Sequence, residues 1–188
     1  MKIILPEHIG EITLDQFQRY HKLSQRTDLN ELDFNKRKIE IFVNIPFQQI
    51  ANIKQTDYDY ILNNIDTSLN IEHPFVNRFK LNNIEFGFIP NMDDMTVAEL
   101  GDLREYQDKE SELHRLMAIL FRPISGKDLL NNYIIEPYNG TAKYSELMKQ
   151  TPMNIVSGAL GFFLNLSNEL ELAIQKSMEV ELMKGITL

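Results

Sequence analysis

Residues 75–89 read Phe75-Val76-Asn77-Arg78-Phe79-Lys80-Leu81-Asn82-Asn83-Ile84-Glu85-Phe86-Gly87-Phe88-Ile89. On both sides of Asn82-Asn83, apolar and polar side chains alternate, the spacing of a strand that buries one face. Asparagine tolerates positive φ, so the Asn-Asn pair suits a two-residue hairpin turn. Phe79 and Leu81 then share a buried face with Ile84, Phe86 and Phe88, and Pro90 closes the ribbon. The preceding chain follows a helical period of about 3.6 residues. The expected fold class is therefore α+β: a mainly helical single domain with a small antiparallel sheet built on hairpin 75–89.

Upstream, Thr13-Leu14-Asp15-Gln16 has the form of a capping box and predicts a helix over 14–25. Residues 31–43 form a second helix, stopped by Pro46, and residues 47–53 one or two helical turns. Tyr58, Ile61, Leu62, Ile65 and Leu69 make an apolar stripe, giving a helix over 56–68. Lys2–Leu5 is a short strand ended by Pro6. Downstream, Thr96-Val97-Ala98-Glu99 is a second capping box, with Asp93 and Asp94 before it, where negative charge favours a helix start. Val97, Leu100 and Leu103 point inward. A helix carrying Leu113, Leu116, Met117 and Leu120 follows after a short link, antiparallel to the first, and stops at Arg122-Pro123. Tyr133–Pro137 is a brief strand that pairs with the hairpin or with Lys2–Leu5. A short helix over 142–149 is followed by Thr151-Pro152, which opens a long last helix. Its Ala159–Leu166 segment is apolar on several sides and predicts the most buried element. Residues 1–188 form one domain, with a helical N-terminal part (1–72) and the remainder over 73–188.

At 188 residues, 43% hydrophobic and 24% charged, the chain can bury a real core. It has no cysteine, which excludes disulfides and thiolate metal sites. The net charge of −8 argues against nucleic acid and against an anionic membrane as partners. The single basic run, Lys36-Arg37-Lys38, reads as a solvated helix face. No signal peptide or membrane-spanning segment is evident, so a soluble protein is expected.

The sequence contains no catalytic, cofactor or metal motif. Ser125-Gly126-Lys127 lacks the upstream glycine of a phosphate loop, and Asp128 stands where its hydroxyl belongs. The serine near glycines at 154–161 lacks the G-x-S-x-G frame. His8, His21, His73 and His114 are scattered, and Glu110 with His114, four apart, reads as a local hydrogen-bonded pair before a metal site. Asp93, Asp94, Glu99, Asp102, Glu105, Asp108, Glu110 and Glu112 read as the solvated face of a helix pair. The alternatives are a docking surface for a basic partner or an enzyme with dispersed acidic active-site residues.

Two structural sites are expected. Antiparallel helices bring the start of one beside the end of the next, so Glu99, Arg122 and Glu136 should form a clamp, the guanidinium bridging two carboxylates. Ser157, Gly158, Gly161 and Asn165 form a small-residue patch on the last helix. Glycine within a helix costs about 1 kcal/mol relative to alanine, so close packing must offset it, inside the domain or at a subunit contact in a homo-oligomer. Phe162, Phe163, Leu166 and Leu170 read as core.

In order along the chain stand Gly87-Phe88-Ile89-Pro90; Thr96, Glu99, Asp102-Leu103 and Tyr106; His114 with residues 118–123; Glu136-Pro137-Tyr138; and Phe162-Phe163. This order resembles a family of small phage proteins encoded among head and tail structural genes. The resemblance runs over about half of the chain, residues 79–170. It implies a non-catalytic assembly or structural protein in tail or head–tail morphogenesis, acting as an assembly chaperone or as a virion component. It implies other phage structural proteins as partners, and a location in the host cytoplasm during assembly or in the finished virion. It implies no cofactor.

Overall fold

The computed structural model describes residues 4–69 and 74–163. The N-terminal helices are α1 (Leu14–Ser24), α2 (Glu31–Val43), the short α3 (Phe47–Ile50) and α4 (Gln55–Ser68). The capping box of α1 is closed: the Gln16 amide donates to Thr13 Oγ1 at 3.3 Å and the Thr13 amide to Gln16 Oε1 at 3.0 Å. Asn44, with φ 56°, ends α2 in the left-handed region. The basic run is not uniformly solvated. Lys38 is buried and paired with Asp66, while Lys36 and Arg37 lie over the Phe47 ring. Lys38 lies on the inner side of α2, where the Asp66 carboxylate offsets the burial of its charge. Ile4 and Leu5 belong to no strand, and Lys2 and Ile3 lie outside the described residues.

The hairpin is β1 (Arg78–Leu81) and β2 (Ile84–Phe88), with Phe79 opposite Phe86 and Leu81 opposite Ile84. Asn82 and Asn83 take φ 47° and 65°, the paired positive angles of a tight turn whose twist matches the strands. Phe86 and Phe88 are buried. Phe79 is half-buried, stacked on Phe86 and edge-on to Phe121 at 5.0 Å. Residues 75–77 lie outside the ladder of β1, so this strand is shorter than its alternation suggests.

Helices α5 (Val97–Tyr106) and α6 (Leu113–Leu120) follow. Of the three α5 residues expected to face inward, only Leu103 is buried; Val97 is 89% exposed and Leu100 37%. Positions three apart drift around the helix, and the core meets only one edge of that arc. Helix α6 does not run to Pro123. It ends at Leu120, and the chain passes without a loop into β3 (Phe121–Lys127), which pairs antiparallel with β2 and with β4 (Tyr133–Ile135). The sheet order is β1-β2-β3-β4. A proline in an inner strand is normally disruptive. Here the Pro123 carbonyl faces β4, accepting from the Glu136 amide at 2.8 Å, so its missing N–H falls at the end of the β4 ladder, which stops at Ile135. Gly87 is also required: a Cβ there would come within 2.7 Å of the Tyr133 ring, which reaches across β3 so that its hydroxyl donates to the Phe88 carbonyl at 2.8 Å.

Among the described residues the most buried element is α6, not the last helix: every residue of it except Arg115 is buried. Beyond the short α7 (Ser145–Met148), residues 153–163 form the described part of the last helix, α8. Met153, Ile155, Val156 and Ala159 are buried, but Gly161 and Phe162 are exposed. Residues 164–166, and Leu170, lie outside the described residues. The N-terminal part is stitched to this region through the backbone. The Leu14 amide donates to Thr151 O, the Asp15 amide to Lys149 O and the Met153 amide to Ile12 O, at 2.8–2.9 Å.

Candidate functional site

The residues of the C-terminal motif converge where α5, β3 and the segment after β4 meet. Thr96 and Glu99 close the second capping box: the Glu99 amide donates to Thr96 Oγ1 at 3.2 Å, and Glu99 Oε2 accepts from the Thr96 amide at 2.6 Å and its hydroxyl at 2.7 Å. The other carboxylate oxygen, Oε1, lies 2.8 Å from Arg122 Nη2, with the side chains 4% and 11% exposed. Arg122 stands at the second residue of β3, opposite Gly87, and its guanidinium lies 5.8 Å from the centre of the Tyr138 ring. The Tyr138 hydroxyl donates to Asp102, one turn along α5 from Glu99. Burial, and then that bond to a carboxylate, push the Tyr138 hydroxyl well above the usual phenol range.

The expected three-member clamp is thus a pair. Glu136 does not reach Arg122; it accepts from Lys143 Nζ at 3.0 Å and the Tyr144 hydroxyl at 2.9 Å, which together hold it below the usual carboxylate range. The reason is the register of β3 and β4. The Glu136 backbone bonds to Pro123, and its side chain is directed toward the segment leading into α7. A cavity of about 220 Å³ remains, lined by Arg122, Glu136, Tyr138, Lys143 and Tyr144 among others. Its charges are already matched in pairs. Arg122 Nε is buried with no hydrogen-bond partner among the described residues.

The acidic run is not one solvated face, because Glu99 is buried and Asp102 is bonded to Tyr138. Nor do Glu110 and His114 pair with each other. Glu110 lies 3.2 Å from His21 Nε2, while buried His114 holds its Nδ1 3.2 Å from Gln18 Nε2. Gln18 Nε2 also donates to the carbonyls of Glu110 and Ser111, fixing α1 against the start of α6. Burial, and then Lys149, lower the His114 pKa. Among the described residues no three histidine or carboxylate side chains converge to hold a metal.

The small-residue patch divides. A Cβ at Gly158 would stand 2.7 Å from the Pro74 carbonyl, so this glycine serves packing within the chain. Ser157 bonds back to the Asn154 carbonyl at 3.3 Å. Gly161 is exposed, with no described residue within 4 Å of its Cβ position, and Asn165 lies outside the described residues. Phe162, read as core, stacks on Phe75 at 4.3 Å and is 38% exposed at the wall of an open groove of about 1070 Å³. Phe75, Met92, Met95, Leu100 and Phe163 also line this groove.

The Asp102–Tyr138 bond was not anticipated, although both residues stand in the motif. Each pairs only through the fold, across 36 positions. The tip of the β3–β4 hairpin carries Leu129 and Leu130, 106% and 82% exposed. The adjacent leucine pair was its available signal. Compared with known proteins, the chain matches no protein family, no curated protein and no solved structure.

Proposed function

We propose that this chain is a non-catalytic protein of bacteriophage tail or head–tail morphogenesis, acting through contacts with other phage structural proteins. The ordered sequence resemblance over residues 79–170 is the ground for the phage setting. The observation that carries the non-catalytic part is the corner just described. The polar residues of the motif are spent on one another: Glu99 on Thr96 and Arg122, Asp102 on Tyr138, Glu136 on Lys143 and Tyr144. Such an arrangement stiffens a scaffold and leaves its carboxylates engaged. The surface instead offers apolar area, in the groove beside Phe162 and at the β3–β4 tip, which is the usual currency of protein contacts.

Quantitative mass spectrometry of purified particles tests this reading. A fixed copy number per particle identifies a virion component. Absence from particles, with co-purification of a tail or head–tail protein from infected cells, identifies an assembly chaperone. Absence from particles together with no bound structural protein would end the proposal.

A further inference from the structure

We propose that two copies of this chain associate by exchanging their β3–β4 hairpin tips, each tip entering the other's apolar groove about a two-fold axis. The inference deepens the reading of the protein as one that works by contacts, and does not depend on the phage setting. Its first ground is the tip. Leu129 and Leu130 are almost wholly in water. Their loop is nonetheless fixed: the Asp128 carboxylate accepts from the amides of Leu130 and Asn132, both at 2.8 Å, and from Asn132 Nδ2 at 3.0 Å. Asn131 turns the chain at φ 66°. A preorganised pair of apolar side chains loses little freedom on docking.

The second ground is the groove, an apolar recess of matching chemistry on the same chain, walled by Met92, Met95, Leu100 and Phe162. Tyr133 lines it and lies only three residues beyond Leu130, so tip and groove are neighbours on the surface. The tip does not fill its own groove, since both leucines are exposed. Adjacent knob and recess suit reciprocal exchange, in which a two-fold operation satisfies both sites at once and closes the assembly. The third ground is charge. Lys127 flanks the tip, and Asp93 and Arg104 line the groove; none of the three forms an ion pair among the described residues. Lys127 of one copy is opposite in sign to Asp93 of the other, as the neighbouring Asp128 is to Arg104.

Sedimentation equilibrium of the full chain tests the exchange. A species of twice the 22.0 kDa chain mass is expected. Leu129→Ser/Leu130→Ser and, separately, Leu100→Glu should each weaken it by about tenfold or more, with unchanged far-ultraviolet circular dichroism, because all three side chains are exposed. Mixing the two variants leaves one intact tip–groove contact, so the mixture should associate more tightly than either alone. A monomer at every concentration overturns the inference, as does a dimer of wild-type strength in the tip variant. Flotation with phosphatidylcholine vesicles that depends on the two leucines also overturns it, assigning the tip to a lipid surface. A monomeric chain still found in particles sinks the exchange and leaves the proposed function standing; a dimer without any phage partner does the reverse.

Discussion

Glu99 uses its two carboxylate oxygens for different ends. One completes the cap of α5, and the other meets Arg122 on β3. The helix start and the sheet are therefore tied through a single side chain only 4% exposed. Removing one member of a buried pair strands the other charge away from water, which typically costs about 3–5 kcal/mol. Arg122→Ala should lower stability by that order, read as a shift in the urea midpoint. Glu99→Gln keeps an oxygen for the cap but strands the Arg122 charge in the same way, and should cost a similar amount, about 3–5 kcal/mol. An Arg122→Ala midpoint equal to wild type would show that the pair holds nothing. The two members were legible before the fold was known, because a capping box fixed where α5 begins and antiparallel helices fix what stands opposite. Glu136 was not, because its partner depends on the direction its side chain takes after β4, and no local pattern encodes that.

At the scale of elements, sequence reading succeeded where one signal acted alone. The boxes at Thr13 and Thr96, the stripe of α4 and the Asn82-Asn83 turn each settle their own segment. It failed at the α6–β3 junction, where helical spacing runs straight into Phe121-Arg122-Pro123. A proline reads as a stop, and only the local end of the β4 ladder makes room for it inside a sheet. The contact between α1 and α6 offers a test by pH. Gln18, His21, Glu110, Glu112, Arg115, Glu146 and Lys149 surround His114 from α1, the turn before α6, α6 itself and α7. Burial lowers the His114 pKa below its ordinary 6.5. Between the lowered and the ordinary value the unfolded chain binds more protons, so stability falls as pH drops through that window and is fully present above 6.5. Wild type should therefore lose more stability than His114→Gln between about pH 7.5 and about pH 5.5. Equal losses in thermal melts of the two proteins would remove His114 from the account.

Over the whole molecule, the helical N-terminal part is tied to the remainder of the chain. Backbone bonds join Ile12, Leu14 and Asp15 to residues 149–153. Helix α6 packs against α1 on one side and against α5, α7 and β3 on others. Its centrality was hard to read because its eight residues, Leu113–Leu120, have the pattern of an ordinary short amphipathic helix, while Ala159–Leu166, of the same length, is apolar on several sides. Leu116 sits within that shared wall and is fully buried. Leu116→Ala removes contacts that belong to both halves, and a core leucine truncated to alanine typically costs about 2–5 kcal/mol, with the spread set by how far the site can close. If α6 is the common core, the variant should still unfold in one step, shifted to lower urea. The chain has no tryptophan and 7 tyrosines, so tyrosine fluorescence can follow side-chain packing while far-ultraviolet circular dichroism follows the helices. The two curves should coincide in wild type and in the variant, the mark of a single cooperative unit. A variant in which the helical signal survives after the tyrosine signal is lost would mean that the N-terminal helices hold together without α6, and that the two parts are separate folding units.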